Sequence, residues 1–310
     1  CVHNGPRFLY MPSIKAHSFT EQSLGALALL KKGRDPSELD LEELRRELAQ
    51  PHLVPGRDCV IAYLDGSPVG YVYLNVEPAI SRGVLDFVVL EGYQGSGVAD
   101  VLLDEALARA RLQGLSLVNV DLSESDKTRL EFFESHEWVH VRTHLHLVRR
   151  SEVQPNVELP VGMTLRLANR LDAHAITELQ NAAFTGSWGY SPNVVDEIAY
   201  RIFELPAYGP DPVVLLEEAG ALVGYCWGHL EEKPGPGVVG MVGIAPERQG
   251  MGLGTAVTAG GVNALLDLGA LPVHITVDSE NPPAIRVYES LGFEAESRSF
   301  WYEMALSSVR

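Results

Sequence analysis

The chain has 310 residues, 46% hydrophobic and 21% charged, with a formal net charge of −17. That length points to two domains and a sizeable core. The acid excess, without any Lys/Arg-rich run, speaks against nucleic acid or an anionic membrane surface as partner.

No apolar run approaches the ~18 residues of a membrane span. Residues 1–15 carry neither a secretory h-region nor a transit pattern, and the missing initiator Met indicates that they are not the natural start. Cys1, Cys59 and Cys226 are too few and too scattered for a disulfide framework, which predicts a reducing, cytoplasmic setting.

In chain order, 18–32 and 39–48 read as helices. The segment 94–99, QGSGVA, follows the apolar run at Phe87 and precedes a helical pattern that stops at Gly114. A strand-like WVHVRTHLHLVRR (138–150) puts His140, His144 and His146 at one parity, hence on one face. No cysteine or carboxylate stands in register to complete a metal set. A polar, proline-containing stretch at 151–162 then reads as a linker between domains at 1–150 and 163–310.

The second half opens with a strand at 163–167 and a helix at 171–184. A glycine-broken loop, TGSWGYS (185–191), carries Trp188 and Tyr190, which either line an acceptor pocket or anchor the loop. Ser191 and Pro192 read as N-cap and first residue of the next helix. Strands follow at 213–217 and 222–230, joined by a turn at Ala219-Gly220. On the second, Tyr225, Trp227 and His229 share a face, and Cys226 reads as a buried strand thiol.

The run 237–245, GVVGMVGIA, reads as a strand that Pro246 ends. Gly250, Gly252 and Gly254 follow at alternate positions. Then Leu253, Val257, Gly261, Leu265 and Leu268 mark one face of a helix closed by Gly269. Strand, glycine loop and helix N-terminus aim unpaired N–H groups and a partial positive charge at one point, a site for phosphate or pyrophosphate. The lysine of a phosphate-binding P-loop is missing. Thr255 also breaks the dinucleotide fingerprint counted from Gly250. What remains is Q-x-x-G-x-G, as Gln249, Gly252 and Gly254. After the strand-like PVHITV (272–277) comes DSENPPAIRVYESLGF, with prolines at a helix start and Gly292 at its stop.

The two motifs together resemble the GNAT acetyltransferase superfamily. The first half repeats the second: QGSGVA stands 155 residues before the glycine loop, and Gly114 stands 155 before Gly269. The resemblance therefore covers two tandem domains. It implies an α/β (α+β) fold in which each domain has a mixed, splayed central sheet flanked by helices.

It also implies acetyl-CoA (coenzyme A) as co-substrate and a small-molecule amine acceptor. The amides of Gln249, Gly250, Met251, Gly252, Leu253, Gly254 and Thr255 would hold the pyrophosphate. The backbone of Val242, Gly243 and Ile244 would pair with the pantetheine arm and polarise the acetyl carbonyl. Tyr288 would protonate the departing sulfur. Asn281 would bond the pantetheine arm, or cap the helix.

The nearest named family is mycothiol synthase, similar through VGYCW (223–227) and 242–268. The carboxylate that family carries at the start of the glycine-loop strand is Val238 here, and the loop at 185–191 also departs from it. Glu231 and Glu232 then stand as substitute general bases, with His229 as a third candidate. Two function classes follow: an N-acetyltransferase working by direct attack in a ternary complex, or a non-catalytic acyl-CoA-binding protein that kept the fold. The first half is expected to be degenerate, because Phe133 replaces Tyr288, Asp126 replaces Asn281 and Glu137 replaces Gly292 at the 155-residue offset.

Overall fold

The computed structural model describes residues 13–32, 41–206, 208–230 and 234–306. The chain divides into two compact units: Cys1–Leu48, Leu53–Val118 and Ala305–Arg310 form the first, Ala49–His52 and Asn119–Met304 the second.

The first unit contains β1 (Ile14–Ser18), α1 (Leu24–Lys32), α2 (Leu41–Leu48), α3 (Pro55–Asp58), β2 (Cys59–Leu64), β3 (Ser67–Glu77), β4 (Arg82–Val89) and α4 (Val98–Leu112). Its strands pair in chain order as an antiparallel meander. Leu24, Leu27 and Leu44 of α1 and α2 pack on Ile61 and Tyr71 from the sheet. The helix expected over 18–32 begins at Leu24, after a short 3-10 turn at Glu21–Ser23. That expected over 39–48 is α2, and residues 39 and 40 lie outside the described residues.

Strand β5 (Leu117–Ser123) spans the division. The second unit continues with α5 (Lys127–Ser135), β6 (Val139–Arg149), β7 (Met163–Leu167), α6 (Ala173–Phe184) and α7 (Val195–Phe203). It then runs through β8 (Val213–Glu218), β9 (Ala221–Leu230), β10 (Gly237–Ile244), α8 (Leu253–Asp267), β11 (Val273–Asp278), α9 (Pro282–Ser290) and β12 (Glu294–Ala305). The strand order is β5-β12-β6-β11-β10-β9-β8-β7, a mixed sheet in which β10 pairs parallel with β11 and antiparallel with β9, while β6 pairs antiparallel with β11 and β12. Helices cover both faces, so central strands are apolar on both sides. On β9, Cys226 joins the core under α8, while Tyr225 and Trp227 join the core under α6 and α7. Helix α8 approaches closely at Gly261, where a Cβ would sit 2.1 Å from Cys226 Sγ. The hairpin between β8 and β9 turns at Ala219 and Gly220, with φ of +50° and +82°, the geometry that suits a two-residue loop.

The repeat read from the sequence recurs in the elements: α4 and α8 begin 155 residues apart at Val98 and Leu253, as α5 and α9 do at Lys127 and Pro282. The compact units do not follow the sequence halves, however. β6, late in the first half, inserts between β11 and β12 and pairs antiparallel with both.

Three local expectations are corrected. Helix α7 starts at Val195, not after Ser191, because the Asn181 side chain on α6 ties down the Asn193 N–H at 3.0 Å and carbonyl at 3.0 Å. Leu268 is 38% exposed and serves as the C-cap of α8 instead of extending its buried stripe. His140, His144 and His146 do not share a face. A bulge shifts the β6–β12 register between His140 and Arg142. His140 therefore packs with Phe300 and Tyr302, whereas His144 packs with Trp301 on the other side.

Candidate active site

Strands β10 and β11 are paired only from Gly237 to Val239 against Val273 to Ile275. At the next residue, Gly240, β10 bulges relative to β9. A Cβ there would stand 3.3 Å from His229 Nδ1, so glycine fits the bulge closely. Past the bulge the parallel strands part, and two cavities open along β10.

The first cavity, about 570 Å³, is lined by Val242, Gly243 and Ile244 of β10, the glycine loop and the start of α9. The loop leaves β10 through a 3-10 turn at Pro246–Arg248. The Gln249 side chain donates back to the Ile244 carbonyl at 3.1 Å, fixing the exit. Gly250 and Gly252 have φ of +76° and +79°, which only glycine adopts freely. Gly252 is the N-cap of α8 and has no side chain to satisfy the helix N–H groups, which are left for a ligand. Gly254 faces α9, where a Cβ would make ordinary contact with Val287 at 3.8 Å. Thr255 lines the cavity, with its N–H on the Gly252 carbonyl at 3.2 Å. Leu253 buries its side chain in the core, so it offers backbone. The Met251 side chain is 59% exposed and Met251 is not among the lining residues. Arg248 also lines the cavity, its guanidinium held by Glu218 at 2.6 and 2.9 Å.

The second cavity, about 590 Å³, adjoins the first and is lined by the preceding stretch of β10, Val239 to Val242. Trp188 and Tyr190 both line it, and both are also anchors. Tyr190 stacks on Phe184 and hydrogen-bonds Asn181, while Trp188 packs edge-on to Trp301. Its charged lining is Arg142 of β6 with Asp278 and Glu280. Arg142 lies 3.7 Å from Asp278, pairs with Glu280 and stands over the Trp188 ring at 5.4 Å. His144 lines the same cavity and accepts from Trp301 Nε1 at 3.1 Å.

Tyr288 lines both cavities. It is 8% exposed, and burial, with a smaller contribution from Cys226, raises its phenol pKa above the ordinary value. Its proton is therefore retained across the neutral range. Asn281 also lines both, and its side-chain oxygen caps α9 by accepting from the Ala284 N–H at 3.2 Å.

Of the three base candidates, Glu231 and Glu232 lie outside the described residues. His229 is half-buried beside Gly240 and lines neither cavity. Cys226 is fully buried with its thiol pKa pushed up to about 12, which makes it inert. The sequence reading missed Arg142, Asp278 and Glu280, and weighed His144 only for a metal set. The carboxylates stand inside a motif read only as context. Nothing local to Arg142 and His144 signals that β6 pairs with β11.

Residues 27–138 and 173–293 both match the acetyltransferase (GNAT) family profile. A mycothiol acetyltransferase of Paenarthrobacter aurescens is 31% identical over 231 residues, 72% of this chain and 70% of that protein. A solved tandem GNAT protein from the clavulanic acid biosynthesis pathway superposes with a TM-score of 0.74 at 18% identity, covering 94% of this chain and 98% of the other. A GCN5-related N-acetyltransferase from Sphaerobacter thermophilus gives 0.72 at 21% identity, covering 94% and 95%.

Proposed function

The chain belongs to the acetyltransferase (GNAT) family, as two matching segments in tandem, and from that premise we propose that it transfers acetyl from acetyl-coenzyme A to a primary amine of a small molecule in the second unit. The observation that carries this reading is Tyr288, one buried phenol lining a glycine-loop cavity on one side and a charged, aromatic cavity on the other. Coenzyme A would supply the activated thioester. The residues suit it: two left-handed glycines free of Cβ and open amides at the α8 N-terminus fit a pyrophosphate. The parted edge of Val242, Gly243 and Ile244 fits an extended arm as an added strand.

The chain's own groups divide the work. Backbone N–H groups of parted β10 face developing negative charge on a carbonyl oxygen. Tyr288 holds a proton at its hydroxyl and gives it to a leaving thiolate. Asp278 and Glu280 offer counter-charge to an incoming ammonium. No carboxylate stands in the β10 wall at Val238, so the base comes from another element. Asp278 and the undescribed pair Glu231 and Glu232 are the candidates. The mycothiol acetyltransferase relatives favour a thiol-metabolite amine as acceptor, whereas Val238 and the loop carrying Trp188 favour a different one. We read the covalent repeats as 1–150 and 163–310 around a linker at 151–162, with the first repeat catalytically silent and the protein acting in the cytoplasm.

The test is thiol release from acetyl-coenzyme A by the full chain with a panel of primary amines. Amine-dependent release that Tyr288→Phe lowers supports the reading. Binding of coenzyme A without turnover of any amine supports the non-catalytic alternative.

A further inference from the structure

The acceptor-side cavity contains a histidine whose tautomer the fold dictates. His144 is half-buried on β6, with Trp301 and Trp188 edge-on to its ring at 5.6 and 6.2 Å between centroids. The Trp301 indole N–H donates to His144 Nδ1 at 3.1 Å. An indole nitrogen can only donate, so Nδ1 keeps its lone pair and the neutral ring carries its proton on Nε2. Protonating Nδ1 would set two N–H groups against each other. Burial acts in the same direction and holds the His144 pKa below its ordinary value, against the pull of Asp121 on β5 and Asp278 on β11, and alongside His146 and Arg142 on its own strand.

A ring held in this way is a poor base, because its one lone pair is already engaged. It is a good donor. The lining charges are one cation, Arg142, against two carboxylates, Asp278 and Glu280. That surplus of negative charge disfavours an acidic oxygen on the molecule bound there and leaves a carbonyl or hydroxyl as the partner of the ring N–H. We propose that His144 Nε2–H is a fixed hydrogen-bond donor that selects acceptors bearing a neutral oxygen close to the reacting amine, with Trp301 as the positioning residue that fixes its tautomer. The identity of the bound molecule as an acceptor rests on the acetyltransferase reading.

Two measurements on the full chain test it. Long-range 1H–15N correlations on 15N-histidine protein, with the His144 signals assigned by their loss in His144→Gln, should show the Nε2–H form. Trp301→Phe should convert this to a mixture. The second compares tyramine with tyrosine methyl ester, the same amine body without and with a neutral carbonyl beside the nitrogen. The ratio of kcat/KM for ester over tyramine is compared between proteins, so the intrinsic reactivities cancel. One hydrogen bond predicts a fall of about five- to tenfold in His144→Leu. His144→Gln, which keeps an N–H, should recover part of it, and Trp301→Phe should fall between. An Nδ1–H or mixed ring in the unaltered protein overturns the proposal, as does a ratio unmoved by His144→Leu. Failure of both probes to be acetylated would count against the acetyltransferase reading. The tautomer would then still test whether Trp301 fixes the ring as a donor.

Discussion

Val239 and Ile275 are the last facing pair in the parallel ladder of β10 and β11. One residue beyond Val239 the bulge at Gly240 turns β10 away, and both cavities begin where the ladder stops. The break exposes main-chain groups in the middle of a sheet, where they would otherwise be paired. A ligand that reads backbone can therefore bind at the centre of the fold.

Gly252→Asp should weaken coenzyme A binding at least tenfold, equivalent to ~1.4 kcal/mol. The substitution places a carboxylate at the open α8 N-terminus, in a residue with φ of +79°. Calorimetry with coenzyme A is the check. The control is Gly252→Ala, which meets no atom within 4 Å and bears only the backbone strain. Equal affinities for the two variants would show that charge at this point is irrelevant.

Tyr288→Phe should lower kcat by ~10²-fold, the low end for general acid catalysis because a thiolate leaves readily. Cofactor affinity should hardly change, since the ring remains. The raised phenol pKa also predicts that the unaltered protein shows no alkaline loss of activity from Tyr288 near 10.0, the ordinary value of the group. Steady-state kinetics across pH checks both statements.

How much of this was legible follows from distance along the chain. The loop at Gly250 and Gly252 and the helix after it were readable because glycine spacing and helical period lie within one segment. Tyr288 was readable through its position in a contiguous motif. The acceptor side was not, because Arg142 and Asp278 come together only through β6–β11 pairing, which no local pattern encodes. Parity misplaced His140 for a related reason: a bulge changes the count by one, and its cause is the partner strand β12. Ser191 and Pro192 formed a good local start signal that Asn181 overrides from another helix.

Asp211→Asn should raise thermal stability at pH 8 and leave it nearly unchanged at pH 3. Burial lifts the Asp211 carboxyl to about 7 from 3.8, with Trp227 Nε1 donating to it at 2.7 Å and Arg201 acting in the opposing sense. A raised acid contributes stability that is fully present below 3.8 and lost as pH rises through about 7. The amide keeps an acceptor for Trp227 and never ionises. Calorimetric melting points should therefore diverge between the two proteins across that interval, and a constant gap would refute the assignment.

Gly261→Ala should destabilise the second unit by ~1–3 kcal/mol, the usual range for overpacking. Its Cβ would meet Cys226 Sγ at 2.1 Å and Cβ at 2.9 Å. Adding Cys226→Ala removes the sulfur but not the Cβ, so it should recover only part of the loss. Denaturant midpoints of the four proteins give the coupling.

The first repeat should contribute no turnover. Phe133 stands where Tyr288 stands in the second, fully buried and edge-on to Trp138 at 4.9 Å, a ring without a proton to give. In a chain carrying Gly252→Asp and Tyr288→Phe together, acetyl transfer should fall to background. Residual transfer that Gly97→Asp abolishes would show a second working centre.

The insertion of β6 between β11 and β12 also bears on the order of assembly at the ribosome. This strand emerges with both of its hydrogen-bonding edges unmatched, and its two neighbours are translated only after β7 to β10. A nascent strand with two open edges is a template for pairing with another chain. Completion of the second sheet therefore waits until β12 has been made. Cutting the gene between β6 and β7 would yield one product bearing an orphan strand and another with the slot that it fills.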